Sequence, residues 1–298
     1  MGNGYTTLAA PRRDRRLMRT GAYAAILDPT VLVNDPLTER ARGVWSAGDY
    51  DRISTGFREE AEEFVDRLKL TPDLNVLDAA CGSGNLTIPA ARTGARVTGV
   101  DLVGSLLEHA DAWATRENLR IPFDQGTVED LPYEDGEFDV VMSMFGVMFA
   151  PRPGRTVSEL TRITRPGGRV ALANWTRDGF IGQMLALHVQ YVAPPLGVPS
   201  PLLWGDEEMI RARFDEHHWN VSTKLRTLTF RYPYTPGGTA KLFRTSYGPT
   251  LRTLETLSTE RRGKLAADLL DLWTDNNRRG AIGTQVDSEY LEVVAERI

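Results

Sequence analysis

A short apolar run, NVLDA (75–79), has counterparts along the middle of the chain: RVTGVD (96–101), IPFDQG (121–126), FDVVMSM (138–144) and RVALANW (169–175). Each is short and most are rich in valine, the signature of a buried strand. Between them, near 85–93, 104–118 and 154–164, the apolar positions return at helical spacing. Ahead of the first run, GFREEAEEFVDRLKL (56–70) places Phe57, Ala61, Phe64, Val65 and Leu68 on one helical face, with acids opposite. Buried strands alternating with helices predict an α/β fold, its mostly parallel sheet covered on both faces. RPGG (165–168) is a turn that feeds the fifth strand.

Beyond Trp175 the alternation stops. VAPPLGVPSPLLWGDEEM (192–209) is rich in proline and apolar residues, and a charged helix follows. NVSTKLRTLTFRY (220–232) alternates as a strand does, residues 240–279 read as two or three helices, and YLEVVAERI (290–298) reads as a closing strand. The expected architecture is one α/β domain over 45–298, with helical cap insertions near 176–218 and 236–286 over the mouth of the sheet. Residues 1–44, limited by Pro11, Pro29 and Pro36, form an N-terminal arm with a basic surplus. Its apolar side chains, Leu17, Tyr23, Ile26 and Leu27, favour docking on the cap, in the same subunit or in a partner's, so the arm offers a route to a homo-oligomer.

Composition narrows the function classes. A net charge of −5 argues against a nucleic-acid partner. No apolar run reaches the ~18 residues of a membrane span. Cys81 is the one cysteine, so no internal disulfide forms, which suits a cytoplasmic protein. The four histidines are scattered, and the neighbours His217 and His218 point apart, so no metal site is expected. RRDRRLMRTGAYAAIL (12–27) resembles a twin-arginine export signal, but Arg19 interrupts its apolar stretch, and a basic surface arm is the preferred reading.

The chemistry concentrates in NVLDAACGSGNLTIPAA (75–91). A strand, a glycine turn and a helix start bring backbone N–H groups close to a ligand, as nucleotide sites require. Gly82 and Gly84 supply two glycines of a dinucleotide fingerprint, but Thr87 occupies the third position. Asp101, at the end of the second strand, suits ribose hydroxyls in either a nicotinamide or an adenosyl cofactor. The turn alone leaves both open.

The surrounding motifs decide. VLDAACGSG, VTGVDL, GTVEDLPYEDGEFDVVMSMFGVMFAP (126–151), RITRPGGRVALANW (162–175) and VWSAGDYD (44–51) together resemble the class I S-adenosylmethionine-dependent methyltransferases, in particular the ubiquinone/menaquinone-like type 11 group. The resemblance covers about residues 45–175 and implies a Rossmann-like sheet with an antiparallel last strand. It implies S-adenosylmethionine as cofactor. Asp101, with Leu102 beside it, would take the ribose hydroxyls. Ala80, Gly82, Gly84 and Met144 would approach the methionyl part, and Tyr50 would lie over the cofactor. Asp78 would face the ammonium and sulfonium charges, and Thr127, Val128 and Glu129 would hold adenine. Thr127 departs from the family, which commonly has Asp there.

Methyl transfer from a sulfonium needs alignment more than activation, so no motif names the acceptor. No Asn/Asp-Pro-Pro-aromatic tetrad marks an exocyclic base amine, and no second cysteine serves pyrimidine C5. Phe145, Met148, Phe149, Trp175 and Trp204 are the expected lining of an apolar or aromatic acceptor site. His188, in MLALHVQYV (184–192), is the candidate base. The favoured function is methylation of a small metabolite in specialised metabolism, with oxygen ahead of nitrogen or carbon. A cyclase or binding protein that holds the cofactor without methyl transfer, and a nicotinamide oxidoreductase, are the alternatives.

Overall fold

The computed structural model describes residues 35–215 and 218–298. The expected arm up to residue 34, and with it the export-like stretch, lies outside the described residues, as does His217. The described part of the arm opens helix α1 (Pro36–Trp45). Asp35 caps it by accepting the Thr38 N–H, and Pro36 stands where a missing N–H costs nothing. Helix α2 (Tyr50–Ser54) and the amphipathic α3 (Arg58–Leu68) follow, and α3 buries Ala61, Phe64, Val65 and Leu68 as the sequence predicts.

A seven-stranded sheet then forms from β1 (Asn75–Ala79), β2 (Arg96–Asp101), β3 (Phe123–Gln125), β4 (Phe138–Met144), β5 (Thr164–Trp175), β6 (Trp219–Tyr232) and β7 (Thr284–Arg297). Its order is β3-β2-β1-β4-β5-β7-β6, and β7 runs antiparallel to both of its neighbours. Helix α4 (Thr87–Arg92) links β1 to β2, α5 (Gly104–Arg116) links β2 to β3, and α6 (Pro153–Ile163) links β4 to β5. The first two crossovers step one way from β1, and the third steps the other way. Because such crossovers are right-handed, α6 falls on the opposite face from α4 and α5. The switch between β1 and β4 leaves a crevice at the carboxyl ends of those strands.

Two strands are longer than the apolar pattern suggests. β5 begins at Thr164, pairs there with Phe138, and resumes its register at Arg169 after a bulge that includes the RPGG turn. β7 begins at Thr284, where the inward positions Thr284 and Ser288 are small and polar and flank a single apolar one, Val286, so the stretch does not read as a core face. The Thr284 hydroxyl donates to the Tyr234 carbonyl (2.8 Å), and Ser288 Oγ accepts the Ile181 N–H (3.1 Å).

After β5 come α7 (Phe180–Tyr191), the short turn Pro201–Trp204 and α8 (Glu207–Asp215). After β6 come α9 (Pro236–Ser246), α10 (Gly248–Glu255) and α11 (Thr259–Asp275). Among the described residues, no helix is long and apolar enough to cross a membrane.

Candidate active site

β1 ends in a turn that few side chains tolerate. Ala80 (φ 57°), Gly82 (φ 54°) and Gly84 (φ 94°) all adopt left-handed backbone. A side chain pays for that conformation, so its occurrence at Ala80 marks a constrained site. A Cβ on Gly82 would meet nothing within 4 Å, so the turn there is open to a ligand. A Cβ on Gly84 would instead press on Ala110 and Ile88, at 3.3 and 3.4 Å. Gly84 therefore serves helix packing rather than the ligand face.

Two carboxylates frame this turn. Asp101 Oδ2 accepts the Gly82 N–H (2.8 Å) and Oδ1 accepts the Val103 N–H (2.9 Å). Burial raises its pKa, and those N–H groups oppose the rise. Asp78 is 1% exposed and accepts the Thr87 hydroxyl (2.5 Å). Burial is the main cause that pushes its pKa up to about 7. Cys81, in the same turn, has its thiol pushed up by burial, which removes it as a nucleophile.

β4 closes the crevice from the other side. Ser143 Oγ donates to the Ala79 carbonyl (2.6 Å) and accepts the Val147 N–H (3.2 Å), which stitches the two strand ends together. Phe145 has left-handed backbone (φ 57°) and hydrogen-bonds through its N–H to the Ala173 carbonyl. A Cβ on Gly146 would stand 2.6 Å from that of Ala80, so only glycine permits this approach of the two turns.

The cavity so formed has a volume of about 970 Å³, its open mouth included. Asp78, Ala80, Gly82, Asp101 and Leu102 line one side, with Thr127, Val128 and Met144. The facing wall is helical: Thr38, Ala41 and Trp45 from α1, and Tyr50 and Ser54 from α2. Trp45 makes edge contacts to Tyr50 (5.5 Å), Phe149 (4.8 Å) and Tyr247 (6.0 Å). Burial, and then the nearby Asp101 charge, raise the Tyr50 phenol well above its ordinary pKa. Among the described lining residues none is His, Lys or Arg.

The structure thus brings together Tyr50, Asp78, Ala80, Gly82, Asp101, Leu102, Thr127, Val128, Met144, Phe145 and Phe149. It does not bring the others to the cavity. Glu129 gives both carboxylate oxygens to Arg152, at 2.5 and 2.6 Å, and its side chain has no exposure. Met148 is buried away from the lining. Trp175 lies behind the wall, stacked on Phe145 at 3.5 Å. Trp204 is covered by Arg213, whose guanidinium carbon lies 4.7 Å from its ring centre.

His188, the expected base, is buried, and its Nε2 faces Thr250 Oγ1 (3.0 Å), which ties α7 to α10. Burial alone lowers its pKa to about 4. It does not line the cavity, and its placement corrects the expectation of a catalytic role.

The expected cap likewise yields to α1 and α2: no described lining residue follows Pro151 in the chain. Thr38, Ala41, Ser54 and Phe57 were missed as lining residues. The aromatic and small positions around VWSAGDYD carried the only signal for that wall.

A family model described as a methyltransferase domain matches residues 77–172. An uncharacterized protein of Mycobacterium tuberculosis is 36% identical over 244 residues, 78% of this chain and 85% of that one. A ubiquinone/menaquinone biosynthesis C-methyltransferase of Bdellovibrio bacteriovorus is 35% identical over 127 residues, which is 41% of this chain and 54% of that enzyme. Among solved structures, the YcgJ protein of Bacillus subtilis superposes with a TM-score of 0.56 at 16% identity, over 80% of this chain and 98% of that one.

Proposed function

The chain belongs to the class I S-adenosylmethionine-dependent methyltransferases of the type 11 group, and from that premise we propose that it methylates an acidic hydroxyl on a neutral, apolar or aromatic metabolite. The nicotinamide alternative falls with the family assignment. S-adenosylmethionine supplies a methyl group already activated on a sulfonium. The residues present fit such a group: an open glycine turn, a buried Asp78 to face positive charge, and an Asp101 carboxylate between two backbone N–H groups. We assign Asp101 and Leu102 to the ribose, Thr127 and Val128 to adenine, and Asp78, Ala80 and Met144 to the methionyl end.

The observation that supports the acceptor class is the aromatic wall of Trp45, Tyr50 and Phe149, with no cationic or imidazole side chain among the described lining residues. Nothing in that lining attracts an anionic acceptor, and no strong base stands ready for an aliphatic alcohol. A phenol or enol suits such a site better than an aliphatic alcohol, because its hydroxyl gives up a proton more easily and the sulfonium charge favours the oxyanion that develops during transfer. Transfer then needs only alignment and exclusion of water. The acceptor oxygen forms the bond to the methyl carbon, the carbon–sulfur bond breaks, and the acceptor's proton leaves to solvent. Specialised metabolism supplies molecules of this kind, and a cytoplasmic location suits the free, buried Cys81.

A second reading is C-methylation at an activated ring carbon, which the name of the Bdellovibrio relative favours. Incubation with methyl-labelled cofactor and a panel of phenols, enols, alcohols and carboxylates tests both. The proposal expects a labelled O–CH₃ signal by NMR on a neutral phenol or enol. Label on carbon would establish the second reading, and label confined to carboxylates would overturn the acceptor class.

A further inference from the structure

Arg152 sits just outside the cavity, where three pieces of the wall meet. Its backbone N–H donates to Glu129 Oε1 (2.5 Å), and Nη1 of its guanidinium donates to Glu129 Oε2 (2.6 Å). The other terminal nitrogen, Nη2, donates to Asp35 Oδ1. Asp35 Oδ2 in turn accepts the backbone N–H of Thr38 (2.8 Å) and its hydroxyl (2.6 Å). The neighbours of these residues face the ligand space: Thr38 on α1, Thr127 and Val128 before Glu129, and Ala150 and Pro151 before Arg152. One planar guanidinium therefore joins the first turn of α1, the loop after β3 and the loop after β4. Arginine suits this role because its donors lie in a fixed fork.

The two ends of the bridge are unequal. The Glu129 side chain has no exposure and receives two bonds from Arg152, one of them from the backbone. The Asp35 side chain is 14% exposed and holds Arg152 through one nitrogen. The far end of α1 is fastened separately, where Arg252 Nε and Nη2 both donate to the Gly43 carbonyl, at 3.0 and 2.9 Å.

We propose that Arg152 is a positioning residue for the cofactor: it bolts α1 over the filled cavity, and the Asp35 end is the end that releases when the cofactor enters or leaves. The inference rests on the cofactor occupying this cavity. Arg152 and Thr38 hold the Asp35 carboxyl down at about 2, so the bolt stays charged at every working pH.

Stopped-flow tryptophan fluorescence of the full chain with S-adenosylhomocysteine tests this, Trp45 being part of the wall. Asp35→Asn keeps a helix cap while removing the charge. The expected result is that dissociation and association both speed up, on the order of 5- to 10-fold, so the equilibrium constant changes far less than either rate. Asp35→Glu is expected to restore slow exchange in part.

A merely structural role would lower the melting temperature and leave the exchange rates of the folded protein untouched. Equal dissociation rates in wild type and Asp35→Asn would overturn the bolt and spare the cavity assignment. No binding by the wild type would overturn both.

Discussion

The sheet-side wall of the cavity is made of backbone, and the helical wall is made of side chains. On the sheet side, Ala80, Gly82 and Gly146 bring main chain to the ligand space, and Asp78 and Asp101 supply charge. Its parts are fixed by strand ends and by hydrogen bonds such as Gly82 N–H to Asp101 and Ser143 to Ala79. On the helical side, Trp45, Tyr50 and Phe149 hold one another by edge contacts, with Tyr247 behind them. A hydrogen-bonded backbone frame fits one invariant ligand, while an aromatic surface accepts any flat apolar group. The difference is the ground on which we propose that the first wall holds the cofactor and the second chooses the acceptor.

The sharpest test of that division is a pair of substitutions. Asp101→Ala should weaken S-adenosylhomocysteine binding by about 1.5–3 kcal/mol, the scale of hydrogen bonds to a charged group, as read by calorimetry. Circular dichroism should show the fold retained. An unchanged dissociation constant would remove Asp101 from the cofactor site. Trp45→Ala should instead raise the acceptor KM roughly 5- to 20-fold, the scale of one or two aromatic contacts, with a smaller effect on cofactor affinity. Equal losses on both ligands would show that the walls do not divide the work.

The same contrast explains what could be read from the sequence. Much of the sheet wall comes from two short segments, 78–83 and 101–103, and a strand–glycine–helix pattern with an acid after the next strand has few physical meanings. The helical wall has no local signature, because the direction of an aromatic ring is set by distant packing, here Trp45 against Tyr247. For that reason Trp175 and Trp204 looked like acceptor contacts, yet one stacks behind Phe145 and the other lies under Arg213. Glu129 carried a motif position, but nothing in the chain pattern reveals that Arg152 takes both its oxygens. β7 is legible only from Tyr290 onward, since Thr284 and Ser288 leave Val286 as the one apolar residue on the early part of its inward face.

A pH titration probes the sheet wall more gently. In the free protein the Asp78 carboxyl titrates near 7, raised by burial. A bound ammonium favours the ionised form, so binding below that value must expel a proton. Affinity should therefore rise with pH, by at most about tenfold per unit, and level off once Asp78 is ionised. Calorimetry with S-adenosylhomocysteine from pH 5.5 to 8.5 reads the slope, and Asp78→Asn should flatten it. A wild-type affinity independent of pH would place the ammonium away from Asp78.

The smallest expected effect on turnover concerns His188, which belongs to neither wall. Its Nε2 is occupied by Thr250, and its Nδ1 is buried without a hydrogen-bond partner among the described residues. A base must reach the proton it removes, and this ring faces the joint between α7 and α10 instead. His188→Gln, which keeps a polar group for Thr250, should leave kcat within about twofold at pH 7.5 and leave the pH–rate profile unmoved. Its signature should appear in stability. The folded pKa is lowered from 6.5 to about 4, so between those values the unfolded chain takes up a proton that the buried ring refuses. The imidazole's contribution therefore makes the wild type lose stability as pH falls from 6.5 towards 4, and the glutamine variant should lack that part of the loss. Melting temperatures of both proteins across that range test the linkage. A hundredfold fall in kcat with a displaced acidic limb would return His188 to the reaction and break the assignment of chemistry to the two walls alone.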